Sequence, residues 1–272
     1  MSNRPILDSV EATFRDLRGA VHTGDGRAAM AAIERRSDLD TLQYVGDGLR
    51  LALAQGVTGA PQRAREHIAA LRNRDLDGDE DLAIELEAVL GLAQASALRD
   101  LPVDLDELSL ALEGDPLLTG GRLDVRTGDV QQIGPLYESD YFDDLGEPDD
   151  NSADDEEADW ADNAEVGDAD DRWLRIDSLG SRPGFRDMAE FLETVADERL
   201  ATRLDRALGG RGAFRRFKDE LADVPDELAR FYRYTDDRRR GRARQWLAES
   251  GLRPAVPTEP PSPGRPDPHG LS

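Results

Sequence analysis

Leu123-Asp124-Val125-Arg126-Thr127-Gly128-Asp129-Val130-Gln131-Gln132, residues 123–132, is where the pattern of this chain changes. Before it, apolar residues recur at steps of three and four. Here they alternate, with Leu123 and Val125 on one side of Thr127-Gly128-Asp129 and Val130 and Gln132 on the other. Alternation is the period of a strand, and a glycine between the runs suits a tight hairpin. Two short strands are predicted, the hairpin ending near Pro135. Trp173, Leu174 and Ile176 predict a third strand over 172–177 that pairs with it. Three strands between helical stretches make the fold class α+β: a small three-stranded antiparallel meander packed with about four helices, preceded by an α-helical bundle or short solenoid.

Upstream, Ile6, Val10, Phe14, Leu17 and Val21 line one face of a first helix, which Gly24-Asp25-Gly26 breaks. Met30 and Ile33 mark a second helix, and Leu42, Leu49 and Leu53 a third. Pro61 opens a fourth with Ala64, Ile68 and Leu71. A fifth is predicted from Asp79 to Arg99, and a sixth after Pro102 with Leu105, Leu108 and Leu112. No fixed-period repeat is present. Downstream, Phe185, Met188 and Phe191 line one helix, Leu200, Leu204 and Leu208 a second, and Phe214, Phe217 and Leu221 a third. One or two final helices, broken near Asp236, carry Leu228, Phe231, Ala243 and Leu247. The domains expected are 1–118, α-helical; 119–252, α+β, with an acidic insertion at 138–171; and 253–272, a Pro-rich tail. The insertion and the tail are expected to be disordered.

The 272 residues carry 34 Lys+Arg against 58 Asp+Glu, a formal net charge of −24. The charge is segregated. Residues 1–136 have net charge −10, residues 138–171 hold 17 acidic and no basic residues, and residues 172–272 have net charge +3. A salt-adapted protein would be acidic throughout, whereas this one is cationic toward its C-terminal end. The absence of cysteine excludes disulfides, Cys-ligated zinc and thiol catalysis. With no apolar run of 18 residues and no charged-then-apolar leader, a soluble cytoplasmic protein without membrane contact is expected.

Leu123-Asp124 with Thr127-Gly128-Asp129-Val130, Trp173-Leu174-Arg175-Ile176, Asp187-Met188 with Phe191, Gly210-Arg211-Gly212-Ala213-Phe214-Arg215-Arg216-Phe217-Lys218-Asp219, and Trp246-Leu247 follow one another in order. In these motifs the chain from about Gly120 to Gly251 resembles a bacterial family known by an uncharacterised-protein-family number. The resemblance implies no activity and no catalytic residues. The helical N-terminal part and the acidic insertion before Trp173 lie outside the family pattern.

Two cationic stretches are the candidate site. Arg211, Arg215, Arg216 and Lys218 flank Phe214 and Phe217, with 211, 215 and 218 on one helical face and 214, 217 and 221 on another. Arg230 to Arg244 holds seven arginines and two acids interleaved with Phe231, Tyr232 and Tyr234; of these, Arg238, Arg239 and Arg240 are the binding candidates. Arginine with aromatics suits an anionic or nucleic-acid partner. The plainer explanation is ion pairing within the chain, the acidic insertion included. Asn73 to Glu85 has oxygen ligands and Gly78 in calcium-loop positions, but Ile84 stands where the bidentate Glu belongs, so a helix stop at Gly78 with an acidic cap fits better. Only His22, His67 and His269 are available for imidazole chemistry, and nucleophile, phosphate-loop and dinucleotide motifs are missing. No catalytic residue, metal or cofactor is expected. The leading reading is a non-catalytic binding or adaptor protein with a protein partner. A nucleic-acid-associated regulator comes second, and an enzyme with carboxylate chemistry last.

Overall fold

The structure, a computed structural model, describes residues 4–35, 41–93, 97–114, 120–132 and 172–256. The acidic stretch 138–171 and residues 257–272 lie outside these, and so do the expectations placed on them. α1 (Arg4–His22), α2 (Gly26–Arg35), α3 (Leu42–Ala54), α4 (Ala60–Arg74) and α5 (Asp79–Val89) pack around α3. Residues 42–52 of α3 are buried without interruption. Two glycines let its neighbours come this close: a Cβ at Gly46 would lie 2.4 Å from the Leu82 side chain, and one at Gly48 3.0 Å from that of Leu17. Phe14, Leu17, Met30, Leu49, Leu71 and Leu82 anchor this first core.

α5 ends ten residues before the predicted Arg99. Gly91 takes the left-handed conformation at φ +68°. Its N–H donates to the Ala88 carbonyl and that of Leu92 to the Glu87 carbonyl, the paired bonds of a glycine-terminated helix. The chain then forms a strand the sequence does not announce, β1 (Arg99–Leu101), before α6 (Leu105–Glu113).

β2 (Gly120–Asp124), β3 (Val130–Gln132) and β4 (Trp173–Asp177) form the expected antiparallel three-stranded sheet. The strand order is β3-β2-β4, not that of the expected meander: β2 takes the middle place, pairing Leu123 with both Val130 and Leu174. Buried Asp124 ties the hairpin turn to β4: its carboxylate accepts from the Arg126 N–H at 2.8 Å and from Arg172 Nε at 2.7 Å. Leu123 and Ile176 join Leu101, Leu108, Leu112 and Leu247 in a second core.

α7 (Arg182–Glu193), α8 (Glu198–Leu208) and α9 (Ala213–Ala222) enclose a third core of Met188, Phe191, Leu204, Phe217, Leu221 and Phe231. α10 (Pro225–Glu249) then runs unbroken for 25 residues through the predicted break at Asp236. The reason is tertiary. Asp237 points inward and accepts from the N–H groups of Gln43 at 2.8 Å and Tyr44 at 3.4 Å, so it caps the start of α3 from 194 residues further along the chain. α10 thereby joins all three cores, contributing Phe231 to the third and Ala243 and Leu247 to the second while passing against α3 and α5. β5 (Leu252–Pro254) follows and pairs in parallel with β1, and the Ala255 N–H donates to the Leu101 carbonyl. No described helix is long and apolar enough to cross a membrane.

α10 meets the α4–α5 turn backbone to backbone. A Cβ at Gly241 would lie 2.2 Å from the Asp77 carbonyl oxygen, and one at Gly78 2.1 Å from that of Gly241. Gly241→Ala is therefore expected to destabilise by about 3 kcal/mol or more. Gly19→Ala, in α1 with nothing within 4 Å, should stabilise by about 0.5–1 kcal/mol. Thermal unfolding of the two variants beside the parent protein checks both signs.

Candidate anion-binding face

The arginines of α10 are interior groups. Arg233, Arg238, Arg240, Arg242 and Arg244 are all buried, Arg244 completely. Arg244 donates to Glu85 and to Asp47, each at 2.6 Å, and its Nε donates to Gln43 at 2.9 Å. Arg240 donates to Asp47 at 2.7 Å and to Asp106 at 2.6 Å, and its guanidinium stacks 4.6 Å from the centre of the Tyr44 ring. With Arg50, which bonds Asp47 and lies 3.0 Å from Glu85, three guanidiniums face three carboxylates. On the opposite side Arg242 clasps Asp187 with two bonds of 2.9 Å and also reaches Glu113. Arg238 sits among Asp77, Asp187 and Glu190 at 3.4–3.6 Å. Arg74 bridges Asp79 and Asp237.

This corrects the expectation that Arg238, Arg239 and Arg240 present cations to the outside. Arg238 and Arg240 are buried and paired, and Arg239, partly exposed, lies 3.4 Å from Glu113. A guanidinium removed from water requires a carboxylate at hydrogen-bond distance, and helices remote in sequence supply one to Arg233, Arg240, Arg242 and Arg244. Arg238, by contrast, has carboxylates only at 3.4–3.6 Å, and its Nε and Nη1 make no hydrogen bond among the described residues. The network sets its own protonation. Burial alone would raise the Asp47 carboxyl, but Arg244, Arg240 and Arg50 outweigh it and hold it well below the usual carboxylate range. In Asp187 and Asp237 burial prevails over the adjacent arginines and raises both. Burial also lowers His67, beside the network on α4, to about 4. Its Nε2 lies 2.9 Å from the Leu42 carbonyl oxygen, so the neutral ring donates there.

The α9 motif behaves differently. Arg216 lies under the turn and donates to the carbonyls of Ala207, Gly209, Gly210 and Arg211, closing the C-terminal end of α8. Arg215 is 89% exposed and, among the described residues, its ion-pair partner is Asp219, at 3.8 Å. Lys218 is exposed and makes no ion pair among the described residues; Arg211 is exposed on the loop before the helix. Phe217 and Leu221 are buried, whereas Phe214, on the same side of α9 and one turn before Lys218, is 39% exposed. Its ring edge reaches within 3.1 Å of where a Cβ at Gly184 of α7 would stand. Phe185, the next residue, is 43% exposed, and Arg182 is exposed one turn before it. The cationic residues of α9 thus adjoin the partly exposed ring of Phe214, which reaches α7 at Gly184. Phe185 and Arg182 escaped the sequence reading because Phe185 fits the apolar period of α7. Only Gly184, small where an aromatic from another helix could settle, hinted at the contact.

The other candidate groups are engaged with one another. Asp79 of the calcium-like stretch accepts from Arg74 and Gln43, and Asp77 from Arg186. No group of three or more metal-ligating side chains converges among the described residues. A cavity of about 350 Å³ beside α10 is lined by Arg18, Tyr44, Asp106 and Arg240. Asp106 there is already engaged, accepting from the Tyr44 hydroxyl at 2.9 Å, from Arg240 at 2.6 Å and from Arg18 at 3.1 Å.

The profile described as "Uncharacterised protein family (UPF0158)" matches residues 147–266, which take in α7 to α10 and the whole α9 motif. A UPF0158 protein of Pseudomonas aeruginosa PAO1 is 30% identical over 175 residues, 62% of this chain and 99% of that protein. No solved structure matches the chain.

Arg244→Met should cost about 3 kcal/mol in urea unfolding at pH 7, because it leaves excess buried negative charge rather than a hole. Adding Glu85→Gln, which removes one of those charges, should recover part of the loss. His67 gives the pH dependence. Its folded value of about 4 lies below the unfolded 6.5, so protons favour the unfolded chain. The stability it contributes is complete above pH 6.5 and is lost as pH falls toward 4, by about 3 kcal/mol in all. Between pH 6.5 and 5 the urea midpoint should fall in the parent protein and stay level in His67→Gln.

Proposed function

The chain belongs to the uncharacterised protein family UPF0158, and we propose that it is a non-catalytic binding protein that holds an anionic partner on the face shared by α7 and α9. The observation that carries this reading is the contrast between the two arginine-rich stretches. Buried carboxylates compensate the cations of α10, whereas Arg215 and Lys218 point into solvent beside Phe214. Exposed aromatic rings among exposed cations are the composition of a recognition surface. The N-terminal helices are offered as the adaptor half of the molecule, held to the binding half through α10. An enzyme acting through paired carboxylates is disfavoured by the same geometry, since Asp47, Glu85, Asp106 and Asp187 are each taken up by arginine.

Retention of the full chain on immobilised heparin at low salt tests the reading. The parent protein should be retained and should elute as salt rises, with Arg215→Glu/Lys218→Glu eluting clearly earlier and Arg238→Gln, if folded, unchanged. Equal retention of the parent protein and the charge-reversed variant would contradict it, as would a metabolite turned over by the parent protein and lost on changing one carboxylate.

A further inference from the structure

We infer that the anionic partner of the α9 corner is a second copy of this chain, whose groove between α5 and the end of α10 receives Phe214, Arg215 and Lys218; this rests on the binding-protein reading above. The groove is a cavity of about 650 Å³. Leu76, Ile84, Leu98 and Ala248, each partly exposed, form its apolar wall. Around them stand Asp75, Asp81 and Glu249, which form no ion pair among the described residues. Burial and the carboxylates of Glu85, Glu249 and Glu80 raise the Asp81 carboxyl, with Arg244 opposing them, so the groove carries negative charge that the fold leaves uncompensated. The α9 corner is its counterpart. Phe214 is 39% exposed, with Arg215 beside it and Lys218 one turn on, and Lys218 makes no ion pair among the described residues. A partly exposed ring among cations fits a groove that offers an apolar wall and a carboxylate rim together. Both halves of this pairing belong to one sequence, so no further partner is needed.

One molecule cannot make this contact with itself. α9 packs on α8 and on the first half of α10, where the ring centres of Phe217 and Phe231 are 5.3 Å apart. The groove lies at the other end of α10, at Ala248 and Glu249. From Phe231 to Glu249 the helix rises about 27 Å, at about 1.5 Å per residue. The contact therefore joins two copies through two different surfaces. A heterologous interface of this kind repeats, since each copy holds one neighbour in its groove and offers its own α9 to another. The net charge of −24 on each copy does not prevent this. At physiological salt, charges more than about 8 Å apart are largely screened, so the local sign governs contact. At the corner that sign is positive. Arg215 keeps 89% of its side chain in water despite Asp219, and the acids Glu220 and Asp223 are the partners of Arg203.

The test is sedimentation velocity of the full chain at about 0.15 M salt. A contact of one ring and a few ion pairs is weak, so the weight-average mass should rise with concentration between about 10 and 200 µM and pass that of a dimer. Arg215→Glu/Lys218→Glu and Asp81→Asn/Glu249→Lys should each stay monomeric, because each lacks one of the two surfaces. Mixed in equal amounts they should associate and stop at the dimer, the first supplying the groove and the second the α9 corner. Phe214→Ala should weaken association of the parent protein roughly five-fold or more. The substituted charges are exposed or half-buried, so both charge variants should unfold at the parent temperature, which separates lost contact from lost fold. A parent protein that is monomeric at about 200 µM, or that stops at the dimer, would overturn the inference. So would a mixture of the two charge variants that stays monomeric. If heparin retains the parent protein but the chain does not self-associate, this inference fails and the broader reading of an anion-binding face stands. If heparin does not retain it either, both fail.

Discussion

Five arginines of one helix lie inside this protein, and the carboxylates that neutralise them come from elements up to 222 residues away in the chain. Each guanidinium loses its water on folding, a penalty of several kcal/mol, and recovers it only when its partners are in place. Arg244 needs α3 and α5, Arg240 needs α3 and the start of α6, and Arg242 needs α6 and α7. An ion pair of this kind is a poor source of stability but a strict positional constraint, since a shift of one helical turn would leave several charges buried and unpaired. The close approach at Gly241 and the capping of α3 by Asp237 fix the same helix in register. α10 is therefore held to the N-terminal helices by polar contacts and to the C-terminal ones by Phe231 and by the pairing of Arg242 with Asp187.

That arrangement also determines which cations remain for an outside partner. The C-terminal part has a small net positive charge in sequence, but seven of its 19 arginines lie in α10, and five of those are buried. On α9, Arg215 and Lys218 reach solvent near Phe214. α9 is positioned by Phe217 and Leu221 beneath it and by Arg216, which ties its first turn to the end of α8. The exposed residues of the motif thus sit on a helix that its buried residues anchor, so exposed and packed positions alternate along the same ten residues.

Much of this architecture was legible in the residues. The change of period at residue 121 gave the sheet, and the three-and-four spacings gave nine of the ten helices to within a few residues except at the end of α5. Two features were not legible, for different reasons. β1 and β5 are three residues each, too short to show a period, and their pairing links Arg99 to Leu252. α10 has no apolar stripe for most of its length because its buried face is built of Arg, Asp and Gly, so a reading based on hydrophobic spacing placed a break at Asp236 where a capping carboxylate stands. Counting charge by segment had the same blind spot, since it showed that acids and arginines were separated in sequence but not that folding would bring them together. Gly241 and Ala243 amid the arginines were the available hint, small residues where another backbone comes close. Within the candidate site, Arg215 and Lys218 were legible as exposed cations, whereas the exposure of Phe214 depends on Gly184 in another helix.

The account stands or falls on whether α10 and the N-terminal helices form one cooperative unit through the buried ion pairs. Native-state hydrogen exchange measures this most directly. The account predicts that amides in the middle of α3, from Val45 to Arg50, and in α10, from Arg240 to Leu247, exchange through the same opening, with equal free energies that fall together as denaturant is added. Amides of α10 exchanging through a separate opening, several kcal/mol below that of α3, would contradict it.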